Sequence, residues 1–200
     1  VEILGKTFLE HSLDKLTKFN LSKIIIVIGY CGEEIKKIID AGSGKISASC
    51  LLKYFPCANV DAIVFPGDNR KKNPLTSAIG SDRLEVQEAD ICATKFSRKY
   101  DLCCAHLTLG EAHNFGNHFS DLFHHIMDIN AKYLLLVDIL EDPSVHFRYL
   151  EQWLKEKGYK ILKKKKFKNP NPEHYPKVKH DKYKLEFDSK HYLAYLAEKI

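Results

Sequence analysis

The side chains best suited to chemistry stand together in one segment in the middle of the chain. His113, Asn114 and Phe115 follow an apolar run that ends near His106. The amide of Asn114 can hydrogen-bond to the edge of a nucleobase while the ring of Phe115 stacks on it, and His113 can accept a proton. We therefore predict His113, Asn114 and Phe115 as catalytic residues. No acid or cysteine accompanies the nearby histidines at ligand spacing, so a metal site is not expected.

A first glycine-bearing loop, Gly29-Tyr30-Cys31-Gly32, follows the apolar run of residues 23–28. Glycine lets the backbone approach a ligand closely, and a helix that starts after the loop offers free N–H groups. We predict that Gly29, Tyr30 and Gly32 contact a bound cofactor. A tight strand-to-helix turn that needs a positive φ explains the same residues without a ligand, and both interpretations stay open.

Acidic residues follow two later apolar runs. Asp68, with Asn69 beside it, comes after residues 60–65, and Asp90 comes after the next strand candidate. A carboxylate at a strand end can accept hydrogen bonds from ribose hydroxyls, and Asp90 could reach an adenine amino group. We predict Asp68, Asn69, Asp90 and the strand-end His106 as further cofactor contacts. The alternative is that the two acids form turns or cap the segments that follow them.

Alternating strands and helices must position these residues. Short apolar runs rich in β-branched side chains predict strands, and apolar residues at helical spacing predict helices. The strands are expected at 23–28, 60–65, 83–87, 100–107, 133–137, 159–163 and 191–197, and the main helices at 7–19, 33–42, 46–55, 119–126 and 142–158. The alternation predicts an α/β fold with a mostly parallel sheet, helices on both faces and an antiparallel C-terminal hairpin.

The helix expected at 33–42 depends on a short pattern. Glu33 and Glu34 precede an apolar stripe, and Gly42 closes the segment, as acids and glycine do at the two ends of a helix. The stretch from Gly42 to Lys45 also suggests a nucleotide- or sugar-nucleotide-binding loop. Against that alternative, the stretch lacks full phosphate-loop spacing and follows no predicted strand.

Length and composition limit the class of protein. Two hundred residues with 44% hydrophobic side chains fit a single domain, residues 1–200, with a real core. The longest apolar run, residues 24–28, is too short to span a bilayer. The six cysteines include no CxxC pair and are expected to be reduced. We predict a cytoplasmic protein.

The net charge of +5 is concentrated near the C-terminus. Residues 164–189 are interpreted as a basic insertion or long loop between the last two strands. Lysines followed by aromatic residues favour an RNA partner, whose phosphates the lysines would contact while rings stack on bases. A merely solvated surface is the alternative. The lysines concerned are Lys163, Lys164, Lys165, Lys166 and Lys168.

The order of these motifs resembles class I S-adenosylmethionine-dependent methyltransferases, and among them the bacterial tRNA adenine-N1 methyltransferases of the TrmK type. Four stretches carry the likeness: residues 67–79, with Gly67-Asp68-Asn69; residues 83–90; residues 133–159; and Lys190-His191-Tyr192. The resemblance implies a Rossmann-like fold, S-adenosyl-L-methionine as cofactor, donor contacts at Gly29, Asp68 and Asp90, and an adenine of tRNA as target.

The leading hypothesis is therefore a methyltransferase that acts on RNA. The family has an acid two residues before the first glycine of its donor loop, and Val27 stands at that position before Gly29. The alternative is a non-catalytic Rossmann-like protein with a degenerate donor site that binds RNA or another partner. Donor binding distinguishes the two hypotheses.

Overall fold

A mixed seven-stranded sheet organises residues 31–200 in the computed structural model. The structure describes residues 2–3, 6–7, 34–43, 47–66, 81–112, 118–139, 147–168, 178–180, 185–187 and 190–200. The strands of this sheet are β3 (Lys37–Ala41), β4 (Asn59–Val64), β5 (Leu84–Glu88), β6 (Leu102–His106), β7 (Tyr133–Ile139), β8 (Tyr159–Lys168) and β11 (His191–Lys199). The short strands β9 (Val178–His180) and β10 (Leu185–Phe187) form a separate antiparallel pair.

The strand order across the sheet is β5-β4-β3-β6-β7-β11-β8. The first five strands in this order are parallel, and β11 pairs antiparallel with both β7 and β8. The last strand of the chain, β11, thus lies between β7 and β8 in the sheet. The predicted mostly parallel Rossmann-like α/β sheet with an antiparallel C-terminal hairpin is confirmed.

The central strands are buried on both faces. Ile38 and Ile39 of β3 are each fully buried, yet they belong to different apolar clusters because successive side chains of a strand point to opposite faces. Leu102 and Cys103 of β6 divide between the same two clusters. The consecutive apolar residues of these strands therefore fill two cores, one on each side of the sheet.

Helices cover both cores. Helix α1 (Ser47–Tyr54) packs its Leu51 and Leu52 on the face that includes Ile38. On the other face lie α2 (Thr108–Glu111), α3 (Phe119–Asp128) and α4 (Phe147–Glu156), whose buried residues share a cluster with Ile39. The expected helices near 46–55 and 119–126 are therefore confirmed, and helices lie on both faces as predicted.

The helix expected at residues 33–42 is wrong, because residues 37–41 form the central strand β3. A short apolar run does not by itself distinguish a buried strand from a helix. Here parallel partners on both sides, β4 and β6, complete the backbone hydrogen bonds of the run. Asp101 adds two more, since its carboxylate accepts the N–H groups of Lys36 and Lys37 at 2.8 and 2.9 Å.

The boundary of the predicted basic insertion, 164–189, also needs correction. Residues 164–168 continue β8 as a regular strand opposite β11. A run of lysines is compatible with a strand here because β8 is the outermost strand described at that edge, where charged side chains can reach water. Residues 178–180 and 185–187 form the β9–β10 pair. The remaining residues of the interval, 169–177, 181–184 and 188–189, lie outside the described residues.

Contacts divide the chain into two compact units, residues 1–30 and 31–200. In the first unit the described residues form a small antiparallel pair, β1 (Glu2–Ile3) with β2 (Lys6–Thr7). The helix expected at 7–19 and the strand expected at 23–28 fall outside the described residues, apart from Thr7 in β2. None of the helices in the described part of the chain has the length and apolar character needed to cross a membrane.

We expect Ile39→Ala to lower the free energy of unfolding by about 2–5 kcal/mol, because it opens a cavity in the middle of the sheet. The same substitution at Ile200, which is 84% exposed, is the matched control and should change stability by less than about 0.5 kcal/mol. Urea titration followed by circular dichroism measures both. Equal losses for the two variants would contradict the central position of β3.

Candidate functional site

The carboxyl end of β3 lies at the point where the strand order changes direction. From β3 the chain first adds β4 and β5 on one side of the sheet and then β6 and β7 on the other. In open α/β sheets the crevice at this switch point is where ligands bind. The residues that end β3 are Asp40 and Ala41, and Gly42 and Ser43 follow.

Asp40 is a fully buried carboxyl group at this end of β3. Its Oδ2 accepts a hydrogen bond from the Ser47 hydroxyl at the start of α1, at 2.6 Å. Burial raises the pKa of Asp40 to about 6, although hydrogen bonds from Ser47 and Ser43 favour the ionised form and lower it in part. Its Oδ1 is buried with no hydrogen-bond partner among the described residues.

Gly42 lets β3 turn directly against α2. Its φ of +78° lies in the left-handed region that favours glycine. A Cβ at this position would lie only 2.7 Å from the Thr108 Oγ1. That hydroxyl is buried and donates a hydrogen bond to the Ala41 carbonyl at 2.7 Å, and Ser43 N–H donates to the Ile63 carbonyl at 2.7 Å. The loop is therefore held on both sides with space for a glycine alone.

Asp138, near the end of β7, holds the first turn of α2. It is 3% exposed, and its Oδ2 accepts the N–H groups of Leu109 and Gly110 at 3.0 and 3.1 Å. A carboxylate is favoured there because the first N–H groups of a helix have no partner within the helix. Leu107, just before the helix, has a φ of +57°. Asp138 thus fixes the segment that leads into the predicted catalytic residues.

The structure places Asp90 and His106 at the same edge of the sheet as Asp40. Asp90 follows β5, and its Oδ1 accepts the Cys92 N–H at 2.9 Å, as a residue that caps a turn does. His106 is the last residue of β6 and remains exposed. The surrounding protein nevertheless displaces enough water from its ring to lower the pKa of the imidazole. His106 therefore ends the strand next to β3, whereas Asp90 follows a strand two positions away on the other side of β3.

The other predicted site residues lie outside the described residues, and their roles stay predictions. They are the catalytic candidates His113, Asn114 and Phe115, and the cofactor contacts Gly29, Tyr30, Gly32, Asp68 and Asn69. The catalytic candidates are flanked in the chain by described residues. Helix α2 and Ala112 precede them, and His118 follows them.

Asp40, Thr108 and Asp138 were not predicted as site residues, and Gly42 was interpreted mainly as the end of a helix. For Asp40 and Gly42 a usable pattern was present, since Asp40 stands two residues before Gly42 and directly after two isoleucines. Contrary to expectation, a strand does precede Gly42, because β3 ends at Ala41. Thr108 and Asp138 carry no comparable local pattern, and their contacts span 67 and 29 residues of chain.

Asp40→Asn should stabilise the fold at neutral pH. A folded pKa of about 6 against an ordinary value of 3.8 means that the native state prefers the protonated acid. Stability from this group is fully present below about pH 4, falls as the pH rises to about 6 and is then constant. Asparagine removes the cost of the buried charge, so we expect a gain of about 1–3 kcal/mol at pH 7 and a flatter profile between pH 4 and 6.

Urea unfolding across this pH range checks the expectation. Asp128→Asn serves as the control because Asp128 is exposed near the end of α3 and pairs only with Lys157 among the described residues. A loss of stability at pH 7 in the Asp40 variant would show that the ionised carboxylate is instead a net stabilising group.

Gly42→Ala should cost more stability than Gly158→Ala. Both glycines have positive φ, +78° and +74°, so both substitutions share the backbone penalty of about 1 kcal/mol. Only the alanine at position 42 meets Thr108, whereas at position 158 the nearest atom would be 3.8 Å from the new Cβ. We expect an additional loss of about 1–3 kcal/mol for Gly42→Ala in thermal or urea unfolding. Equal losses would mean that α2 can move away from β3.

No family model and no curated protein matches this sequence. Solved structures do match its fold. A candidate RNA methyltransferase from Pyrococcus horikoshii superposes with a TM-score of 0.58 and 15% identity, over 86% of this chain and 80% of that chain. A candidate tRNA (m1A22) methyltransferase from Streptococcus pneumoniae, solved with S-adenosyl-L-methionine, gives 0.57 and 12%, over 84% and 69%.

A third match acts on a different kind of substrate. The 1,6-didemethyltoxoflavin-N1-methyltransferase of Burkholderia thailandensis, solved with S-adenosylhomocysteine, has a TM-score of 0.56 and 12% identity, over 100% of this chain and 93% of that chain. Identities this low establish a shared fold and leave the substrate open. With its seven strands in this order and the antiparallel β11 between β7 and β8, the chain has the Rossmann-like fold of S-adenosylmethionine-dependent methyltransferases.

Proposed function

We propose that this protein is an S-adenosylmethionine-dependent methyltransferase that acts on RNA. The observation that carries the proposal is the loop at the end of β3, where the buried Asp40 stands two residues before Gly42. This is the spacing of acid and glycine in the donor loop of the family that the sequence resembles. In that family the loop follows the first strand of the sheet, and β3 is the first strand of this one.

The residues at this edge fit a methyl donor of this type. A buried carboxylate with an unpaired oxygen is costly, and such costs concentrate at binding sites. Gly42 allows the tight turn after Asp40, with Thr108 packed where a side chain would be, and Asp90 follows the strand at which the family contacts adenine. The donor supplies an electrophilic methyl group. The residues of this chain would hold donor and acceptor in line, which accounts for most of the rate in such transfers.

The choice of RNA depends on charge. Six of the ten residues of β8 are lysines, which suits a polyanionic substrate. Two of the three structures compared above are described as candidate methyltransferases of RNA or tRNA. The third takes a small heterocycle, so the fold alone does not select the substrate. By the resemblance of the sequence, the adenine N1 of tRNA is the first target to test.

The reason for considering a degenerate donor site is now weaker. That alternative was motivated by Val27, which lies outside the described residues and before the first strand of the seven-stranded sheet. Asp40 supplies an acid two residues before a glycine at the switch point itself. Among the described residues, no observation favours a non-catalytic protein over an enzyme.

Calorimetric titration with S-adenosylhomocysteine tests donor binding. We expect measurable binding, and we expect Asp40→Asn to weaken it at least tenfold while leaving the protein folded. Asp128→Asn removes a carboxylate from an exposed surface position and should bind like the wild type. Failure to bind at high micromolar concentration would overturn the proposal and favour the non-catalytic alternative.

Transfer of radiolabelled methyl groups to unmodified tRNA tests the substrate. Labelling that is lost in Asp40→Asn supports the full proposal. Donor binding together with labelling of a small molecule or protein, and none of RNA, would keep the methyltransferase and overturn its assignment to RNA.

A further inference from the structure

The lysines of β8 are divided between the two faces of the sheet. Side chains of residues directly opposite each other in a strand pair share a face. Lys164 lies opposite Tyr195 and Lys166 opposite Leu193, both in the cluster beneath α4. Lys163 and Lys165 lie opposite Leu196 and Ala194 and therefore on the other face.

On the α4 face, Lys164 contacts helix α4 and the ring of Tyr195. The Lys164 ammonium donates to Glu151 of α4 at 2.6 Å and lies 5.4 Å from the centre of the Tyr195 ring. Tyr195 also donates to the same carboxylate at 3.1 Å. These contacts raise the pKa of Lys164 and lower that of Glu151. The acid and the packed helix make this face less suited to a polyanion.

The opposite face carries a different set, Lys163, Lys165 and Phe167, which we name the lysine face of β8. Both lysines are exposed, and neither forms an ion pair with another residue in the described part of the chain. The Phe167 ring is half-buried and lies 5.4 Å from the ring of Tyr192, centre to centre. Alternate residues of a strand are about 6.8 Å apart, so the face presents two cations and a ring in a straight row.

The register directs this row towards the candidate site. Lys165 pairs with Ala194, Ala194 with Val137, and Val137 with His106 at the end of β6. Three strand spacings separate Lys165 from His106, or about 14 Å. Phe167 is two residues further along β8, level with Ile139 at the end of β7. A flexible polyanion bound along the row could therefore place one of its units at the switch point.

We propose that the lysine face of β8 binds the backbone of a single-stranded RNA segment, with Lys163 and Lys165 at successive phosphates and Phe167 against a base. The inference depends on the proposed function, because it names where the same site's substrate is held. Single-stranded binding of this kind combines cations that follow the backbone with rings on which bases stack. A strand fixes the spacing of these groups, which a long loop would not.

Protection of a sheet edge is the competing explanation for these lysines. Lysine on an outer strand prevents pairing with other chains, and that role is served by lysines on either face alike. Edge protection does not require an aromatic side chain in line with the lysines at the end of the sheet where the candidate site lies. The two explanations therefore differ in whether the face matters.

A matched pair of double variants tests this. Lys163→Gln with Lys165→Gln removes two charges from the lysine face, and Lys166→Gln with Lys168→Gln removes two charges from the same strand on the α4 face. The probe is a short fluorescein-labelled single-stranded RNA of mixed sequence, titrated at several salt concentrations. We expect the first pair to weaken binding at least tenfold and to lower the slope of log affinity against log salt by about 1.4, the value for two phosphate contacts. The second pair should change affinity less than threefold.

Equal weakening by the two pairs would overturn the face-specific proposal, and no RNA binding by the wild type would overturn it entirely. Phe167→Leu should weaken binding several-fold with an unchanged salt slope, since stacking releases no counterions; an unchanged affinity would remove the ring from the proposal. Binding to anionic lipid vesicles in preference to the RNA would assign the face to a membrane surface instead.

Titration with S-adenosylhomocysteine separates this inference from the proposed function. The lysine variants should bind the donor analogue like the wild type. RNA binding that depends on Lys163 and Lys165 in a protein that binds no donor would contradict the methyltransferase and leave the RNA surface in place. Donor binding without RNA binding would support the methyltransferase and overturn the RNA-binding surface.

Discussion

The burial of β3 on both faces is the constraint on which the rest of the structure depends. Ile38 and Ile39 fill two separate cores, and strands pair with β3 on both sides. After Lys37, which is exposed, every residue of the strand is buried, so a polar side chain at any of these four positions is desolvated. Asp40 is such a side chain, and the raised pKa of its carboxyl follows directly from its position in the sheet. The core and the candidate site therefore share one strand, and their requirements conflict. The core needs apolar side chains there, whereas the candidate site has a carboxyl group.

This competition explains the polar contacts around the end of β3. Ser47 and Ser43 supply hydrogen bonds that offset part of the desolvation of Asp40, and Thr108 closes the backbone of the turn. Across the sheet, Asp138 is buried as well, but the first N–H groups of α2 satisfy it. The two acids lie at the same edge of the sheet, but they differ in their hydrogen-bond partners. One stabilises a helix, and the other keeps an unpaired oxygen, which is the arrangement expected when stability is given up for binding.

Most of the fold could be predicted from the sequence because buried parallel strands have an obvious composition. The strands at 59–64, 102–106 and 133–139 stand out as apolar, β-branched or leucine-rich runs. β3 did not, because acidic residues before it and a glycine after it are also the ends of a helix, and five residues are too few for periodicity to decide. Because these residues were interpreted as a helix, Gly42 was not considered as part of a loop that follows a strand. Asp138 could not be found at all, since its partners lie far away in sequence and only packing brings them together.

The C-terminal strands determine what lies beside the candidate site. Because β11 inserts between β7 and β8, the lysine-bearing strand becomes the outer strand while its end stays level with the end of β7. If β8 paired directly with β7, β11 and not the lysine-bearing strand would form the edge of the sheet. The antiparallel insertion thus moves a strongly basic strand one position outward, into solvent, without moving it away from the edge of the sheet where Asp40, Asp90 and His106 stand. The same topology that identifies the fold therefore also gives it a charged border along one side of the site.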